Sequence, residues 1–305
     1  MKQLWFILIA SCIVASAPAQ SLLHNPAAII YMDDEDLIEE EEEEDPWRGW
    51  SIGLNLGGYF GSGKTGNFYN GLCGSNELND PNDVRCYTIE ERLTLTPNEI
   101  NYINTYFGSS NFFLPWDAYP ARMRYNPAFM LGFQLKYNFN RDAALVFNSN
   151  AVRMKAVDQF TIQFVGTPLP PNGQADVRLF QIVGKEDRFN FNLGYRQGFM
   201  INDLLNSYIQ IGGSVLGTKV MENEVFVADR TYDLFLGFTN PNQAPIAYQP
   251  RTGFGFGYYF SLGVELFTTN RFTADLSLGF SRDKMKLITY EEKGWNKWLQ
   301  ATVTM

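Results

Sequence analysis

The stretch Phe254-Gly-Phe-Gly-Tyr-Tyr-Phe-Ser-Leu-Gly-Val-Glu-Leu-Phe267 decides how this chain is built. Every second residue is apolar: Phe254, Phe256, Tyr258, Phe260, Leu262, Val264 and Leu266. The residues between them, Gly255, Gly257, Tyr259, Ser261, Gly263, Glu265 and Phe267, are mostly small or polar. A period of two belongs to a strand, whose side chains point alternately to two faces. A face this apolar needs an apolar neighbour. In a soluble sandwich the neighbour is a second sheet. In a membrane barrel it is lipid, and the small, polar face lines a lumen.

The same pattern recurs along the chain. Strand one begins at Trp47 and Trp50, with Ile52, Leu54, Leu56 and Phe60 on one side. Strand two runs from Pro127 to Phe139, strand three from Ala143 to Val165, and strand four from about Ala175 to Phe199. The facing of strand three is ambiguous around Asn148 to Val152. Strand five covers Ser207 to Thr218, and strand six is the opening stretch. Strand seven carries Phe272, Ala274, Leu276, Leu278 and Phe280 outward, and strand eight ends at Met305. Short turns at Asn140-Arg-Asp142, Asn202-Asp203 and Thr268-Thr-Asn270 alternate with longer connections at 61–126, Pro168 to Gly173, 219–251 and Asp283 to Gly294. Strands three and four are longer than the roughly 10 residues a tilted strand needs to cross a bilayer. The expected fold is all-β, a closed antiparallel eight-stranded transmembrane barrel with a long structured first external loop over 61–126. Closure also removes the free edges that strands this apolar would otherwise expose.

Within that loop, Thr96-Pro-Asn-Glu99 reads as a helix start. Thr96 caps, Pro97 suits the first helical position, and Glu99 completes a capping box; Gly108 is the stop. Cys73 and Cys86 form an even pair in an exported chain, so a disulfide is expected there, worth roughly 3 kcal/mol by loop entropy.

Export is read from the start of the chain. Met1-Lys-Gln precedes an apolar run from Leu4 to Val14, and Ala17-Pro-Ala19 fits a cleavage site. Residues 1–19 then form a signal peptide, the run being too short to span a bilayer as a helix. A rival reading is a lipoprotein box at Ile9-Ala-Ser-Cys12, although only eleven residues precede that cysteine. Residues 20–46 read as an acidic, solvated tail: Asp33 to Asp45 holds eleven of the 33 acids. Residues 46–305 then carry 22 acids against 23 Lys and Arg, which leaves a nearly neutral body with nothing basic enough for nucleic acid.

The signal, the eight alternating segments and the terminal strand Trp298-Leu-Gln-Ala-Thr-Val-Thr-Met305 resemble the small eight-stranded bacterial outer-membrane barrels of the OmpX and OmpA-transmembrane-domain type. Met305 is apolar where that family is usually aromatic. The resemblance covers about residues 47–305 and implies the cell outer membrane of a diderm bacterium. The N-terminal tail and C-terminus would be periplasmic, with the long loops outside. It implies a fold and little about activity. The peptidoglycan-binding role of larger relatives does not carry over.

A barrel this narrow is filled by its side chains. Lys136 and Arg196, both on inward positions, are candidates to pair with Glu265 and Asp275 in a polar core. Aromatic residues at strand ends (Trp47, Trp50, Tyr137, Phe139, Trp295 and Trp298) read as interfacial girdles. Phe112, Phe113, Trp116 and Tyr119 in the first loop either pack the cap against itself or, if exposed, form a contact patch. Gly58-Tyr-Phe-Gly-Ser-Gly-Lys-Thr65 meets the spacing of a phosphate loop, but turn-like residues follow it instead of a helix, so it reads as a glycine-rich exit from strand one. His24 is the single histidine and sits in the tail, so no Ser-His-Asp arrangement can form in the barrel. No catalytic residue, metal, nucleotide or other cofactor is expected.

The functional expectation is a non-enzymatic barrel in contact with outer-membrane lipid, with a structural or protein-interaction role carried by its loops. Its alternatives are an accessory subunit docked through the acidic tail or the barrel wall, and a narrow channel.

Overall fold

The computed structural model describes residues 47–72, 87–166, 176–235, 251–267, 272–287 and 290–305. The signal segment, the acidic tail, Cys73 with Cys86, and the turns at 168–173 and 268–270 lie outside the described residues. Among these described residues there are ten strands: β1 (Gly49–Phe60), β2 (Asn111–Phe113), β3 (Ala128–Asn138), β4 (Ala143–Val165), β5 (Asp176–Asn202), β6 (Leu205–Val227), β7 (Arg230–Asp233), β8 (Arg251–Phe267), β9 (Thr273–Leu287) and β10 (Tyr290–Thr304). Eight of them close a ring in the order β4-β3-β1-β10-β9-β8-β6-β5, with β5 returning to β4. Every pairing in the ring is antiparallel.

The register fixes the barrel's geometry. From Ala301 it passes through Leu56, Leu131, Ala151, Phe189, Gly217, Phe254 and Lys286, and regains β10 at Glu291, ten residues from its start. A stagger of ten over eight strands, with a rise of about 3.3 Å per residue and strands about 4.8 Å apart, gives a tilt of about 40°. The seam between β1 and β10 closes with paired backbone bonds: Ile52 N–H to Met305 O and Met305 N–H to Ile52 O, both 2.9 Å.

One end of the barrel carries short turns built alike. Asn140 Oδ1 accepts from the backbone of Asp142 (2.9 Å) and Ala143 (2.7 Å). Asn202 Oδ1 accepts from Leu204 (2.9 Å) and Leu205 (2.8 Å). An asparagine side chain thus replaces a backbone turn bond, as its short amide allows. This is the turn end; the other is the cap end.

The wall has two faces. Outward residues such as Leu54, Phe129, Leu193, Phe256 and Val303 are exposed and apolar, while Asn55, Gln134, Asn148, Asn190, Gln210 and Thr302 are buried inside. A soluble protein would not leave so broad an apolar belt in water. The belt suits hydrocarbon, and the closed ring pairs the backbones of neighbouring strands with one another all the way round. The fold is a transmembrane barrel. No helix among the described residues is long and apolar enough to cross a membrane.

The cap end departs from the expected loops in three ways. β6 continues to Val227, and β7 folds back on it, so the start of the stretch 219–251 is a hairpin and not a loop. β9 and β10 pair up to Leu287 and Tyr290, so the expected loop from Asp283 to Gly294 is strand at all its described residues, with 288–289 outside them. Moreover, β4 and β5, of 23 and 27 residues, pair without a break from Ala143↔Gln197 to Phe164↔Asp176. With β2 and β7 they stand beyond the barrel as a tall sheet.

The first loop folds as a small apolar-cored cap. Helix α1 (Gly63–Gly66) leads into helices α2 (Ile89–Leu93) and α3 (Pro97–Phe107). Thr96 caps α3, and Gly108 ends it in the left-handed region at φ 67°. Glu99 does not complete a capping box there. Its carboxylate instead takes both bonds from Arg92 Nη1, at 3.1 and 3.0 Å. The reciprocal box lies at Thr88 and Glu91, on the helix that the sequence reading missed. Ile89, Leu93, Ile103 and Met123 are fully buried and join Phe160, Ile162 and Ile182 of the tall sheet in one core.

Candidate functional site

The lumen is filled in three layers. Nearest the turn end, Lys136 Nζ donates to Glu265 Oε1 at 2.5 Å. Arg196 Nη1 lies 3.6 Å from Glu265 Oε2 and 3.2 Å from Asp275 Oδ2, and its guanidinium sits 3.8 Å from the centre of the Tyr208 ring. β3, β5, β8 and β9 thus bring two cations and two carboxylates together, all four nearly inaccessible. Burying charge is costly unless each is paired, and this quartet pairs every member.

The middle layer is uncharged. Asn55 Nδ2 donates to Asn148 (3.2 Å) and Asn150 (3.1 Å), and Thr302 donates to Asn55 Oδ1 at 2.9 Å. Gln134 joins Asn148 at 3.1 Å. The gap left beside Gln134, Arg196, Gln210 and Gln300 is ≈ 10 Å³, about what one water molecule occupies. Trp298 also turns inward, 6.4 Å from Tyr259. It is buried and therefore not part of an outer girdle, because its even position shares the inward phase of Asn296 and Gln300. Gly279 makes room for it: a Cβ there would lie 2.0 Å from the indole. Trp47 is likewise no girdle residue; it packs at the turn end against Phe267 (5.2 Å) and under Arg141 (5.2 Å). Trp50, Phe139 and Trp295 are exposed on the outer wall, as a girdle requires.

The top layer joins barrel to cap. Arg188 and Glu186 on β5 are wholly buried and paired. Arg188 also donates to Asn296 Oδ1 (3.2 Å), Thr65 Oγ1 (3.0 Å) and the Tyr125 hydroxyl (3.1 Å). Glu186 Oε2 accepts from the hydroxyls of Tyr69 (2.7 Å) and Tyr125 (3.1 Å). Burial, then the Glu186 carboxylate, pushes both phenols well above their ordinary range, so they remain donors. Gly184 lets Tyr69 lie on the strand, since a Cβ there would be 2.2 Å from its ring. Thr65 belongs to the stretch with phosphate-loop spacing. That stretch ends β1 and then forms the single turn of α1, with Ser62 capping it and Ser62 N–H bonded to Asn296 Oδ1 at 3.1 Å. It is a stopper in the barrel mouth. Sequence reasoning did not single out Glu186 or Arg188, although both share the inward phase of Asn190 and Asn192.

At the turn end the lumen opens into a cavity of about 500 Å³ lined by Trp47, Arg141, Phe267 and Thr304, with Lys136 and Glu265 at its floor. On the cap, the four aromatic residues of the first loop divide. Phe112 is buried and packs on Phe164 at 6.3 Å, and Tyr119 packs against the core. Phe113 and Trp116 are exposed, Trp116 to 87%. Val177 and Leu179 are also exposed, on the outer face of β5.

No protein-family model and no curated protein matches the chain. Among solved structures it is similar to Neisserial surface protein A, with 10% identity, a TM-score of 0.37 and coverage of 84% of this chain and 96% of that one. It is also similar to Ail, the attachment invasion locus protein of Yersinia pestis, at 13% identity and a TM-score of 0.32, covering 85% and 99%. The outer membrane protein OprG from Pseudomonas aeruginosa matches at 9% identity and a TM-score of 0.32, covering 84% and 93%. Likeness this slight carries no argument. The fold rests on the closed ring and the two faces of its wall.

Proposed function

We propose that this chain is a non-conducting, non-enzymatic barrel of the bacterial outer membrane that presents its cap end outside the cell as a protein-contact surface. The signal segment would direct export. The tail over 20–46 and Met305 would lie on the periplasmic side with the short turns, and Cys73 and Cys86 would be bridged within the external cap. The observation that carries the reading is the filled lumen: charged, amide and stopper layers lie one above another between the turn-end cavity and the cap. A plugged barrel has no conduit to offer, and its most elaborate surface is the tall sheet with Phe113, Trp116 and Leu179 exposed.

Two measurements test this. Purified protein in planar bilayers gives no steady conductance steps; regular open steps would contradict the plugged reading. In intact cells, Trp116→Cys reacts with a membrane-impermeant thiol reagent, whereas Arg141→Cys at the turn end reacts only after lysis. The reverse pattern would overturn the orientation.

A further inference from the structure

The outer wall of β9 and β10 carries an unbalanced group of cations. Above Phe280 the outward residues of β9 are Arg282, Lys284 and Lys286; those of β10 include Lys293 and Lys297. All five are exposed. The register sets Lys293 directly opposite Lys284, Trp295 opposite Arg282, and Lys297 opposite Phe280. Like charges facing each other across a ladder repel. Among the described residues of this wall one outward acid, Glu291, answers them, 2.5 Å from Lys284 Nζ. The wall across the barrel also sets two lysines opposite each other, Lys155 and Lys185, but it carries two acids to answer them: Asp187 bonds Arg153 at 2.8 Å, and Glu222 lies 2.6 Å from Lys185.

The group also sits at a particular level. With a tilt of about 40°, Arg282 and Lys297 stand within a few Å of the same height, level with Phe256 of β8. Below them the wall is Leu278, Phe280 and Leu299; above them it is basic. They begin where the apolar belt ends. Aromatic rings frame them: Arg282 lies 5.6 Å from the Trp295 ring and 3.5 Å from the Tyr258 hydroxyl. Cations with aromatic rings at the edge of a hydrophobic belt meet lipid headgroups before they meet bulk water.

We infer that the outer wall of β9 and β10 is a docking site for a phosphate-bearing lipid of the leaflet nearest the cap, with Arg282, Lys284, Lys286, Lys293 and Lys297 around the phosphate and the acyl chains against Phe280 and Leu299. The inference rests on the membrane placement proposed above. The phosphate supplies the negative charge that the wall lacks and relieves the repulsion between Lys284 and Lys293.

The test uses the full chain reconstituted in nanodiscs of phosphatidylcholine containing a minority of phosphatidic acid, with retained lipids counted by native mass spectrometry. Wild type retains phosphatidic acid in preference to phosphatidylcholine. The combined variant Lys284→Gln, Lys286→Gln, Lys293→Gln and Lys297→Gln retains about tenfold less or lower still. Lys155→Gln with Lys219→Gln on the opposite wall leaves retention unchanged. Lys155, Lys284, Lys286, Lys293 and Lys297 are exposed and Lys219 is half-buried, and unchanged urea midpoints would show that folding is intact. Equal retention by the first variant, or an equal loss in the second, overturns the site. Displacement of the lipid by millimolar inorganic phosphate also overturns it, because the site would then bind the free anion. Failure of the wild type to enter nanodiscs at all overturns the membrane placement and the site with it. Entry without selectivity overturns the site alone.

Discussion

The two halves of β4 have the same backbone and opposite chemistry. In the lower half Leu145, Phe147 and Ala151 point outward, and Asn148 and Asn150 point in. In the upper half Met154, Ala156, Phe160 and Ile162 point in, while Arg153, Lys155, Gln159 and Gln163 point outward. The ladder with β5 runs through the change with no shift in register. β9 inverts in the same way, from Asp275, Ser277 and Ser281 inside to Met285 and Leu287 inside. β6 inverts with a register shift near Met221, after which Asn223, Val225 and Val227 are the buried set. A strand has two faces, and which one is apolar depends on what lies outside. The inversion therefore marks the level where the solvent outside changes from lipid to water. Below it the protein is built inside out; above it, the protein is built as a soluble domain is.

The comparison breaks most clearly where the lower half holds charge. Glu265→Gln leaves Lys136 and Arg196 short of a counter-charge in a buried site and costs about 3–5 kcal/mol of stability, measured by urea unfolding in vesicles. A change within about 0.5 kcal/mol would mean the lumen is wet enough to solvate them. A smaller but more specific contrast lies on the outer wall of β5. Leu193→Arg, in the lipid belt, costs about 2–4 kcal/mol. Gln181→Arg, on the same face above the inversion, stays within about 0.5 kcal/mol. Equal costs at the two sites would sink the two-solvent account.

In the cap, Thr88→Ala removes one half of the reciprocal box on α2 and costs about 1 kcal/mol locally. It shows as faster proteolysis of the cap with the barrel's melting unchanged; a lowered barrel melting would mean that cap and barrel unfold together. Smallest is Trp116→Ser, which stays within about 0.5 kcal/mol because the ring has few neighbours to lose. A larger loss would place the ring in a packed site.

The lower barrel was legible in the sequence because a single rule, the period of two, governs it. Phe254 to Leu266 and Phe272 to Phe280 were read in the right phase for that reason. The upper barrel was harder to read because the same rule changes phase. Asn148 to Val152 looked ambiguous because the apolar residues move there from odd to even positions. The run from Asp283 to Gly294 looked like a loop because its outward residues Lys284, Lys286 and Lys293 are basic while the apolar Met285 and Leu287 point in, the reverse of the strands below. Trp298 was grouped with Trp295 by residue type, although three positions apart on a strand means opposite faces. Glu186 and Arg188 gave a signal that was available and not used: their inward phase. Nothing local in Gly61 to Thr65 announced the stopper, since its partners Arg188 and Asn296 lie far away in the chain.

The most direct test is collision accessibility along the outward face of β4. Spin labels placed singly at Leu145, Phe147, Ala151, Lys155, Gln159 and Gln163 would be read in vesicles against oxygen, which concentrates in lipid, and against a water-soluble nickel chelate. Oxygen should dominate through Ala151 and the nickel chelate from Lys155 onward, with the crossover between them. Oxygen dominance along the whole strand, or nickel dominance along all of it, would contradict the claim that the inversion marks the membrane edge.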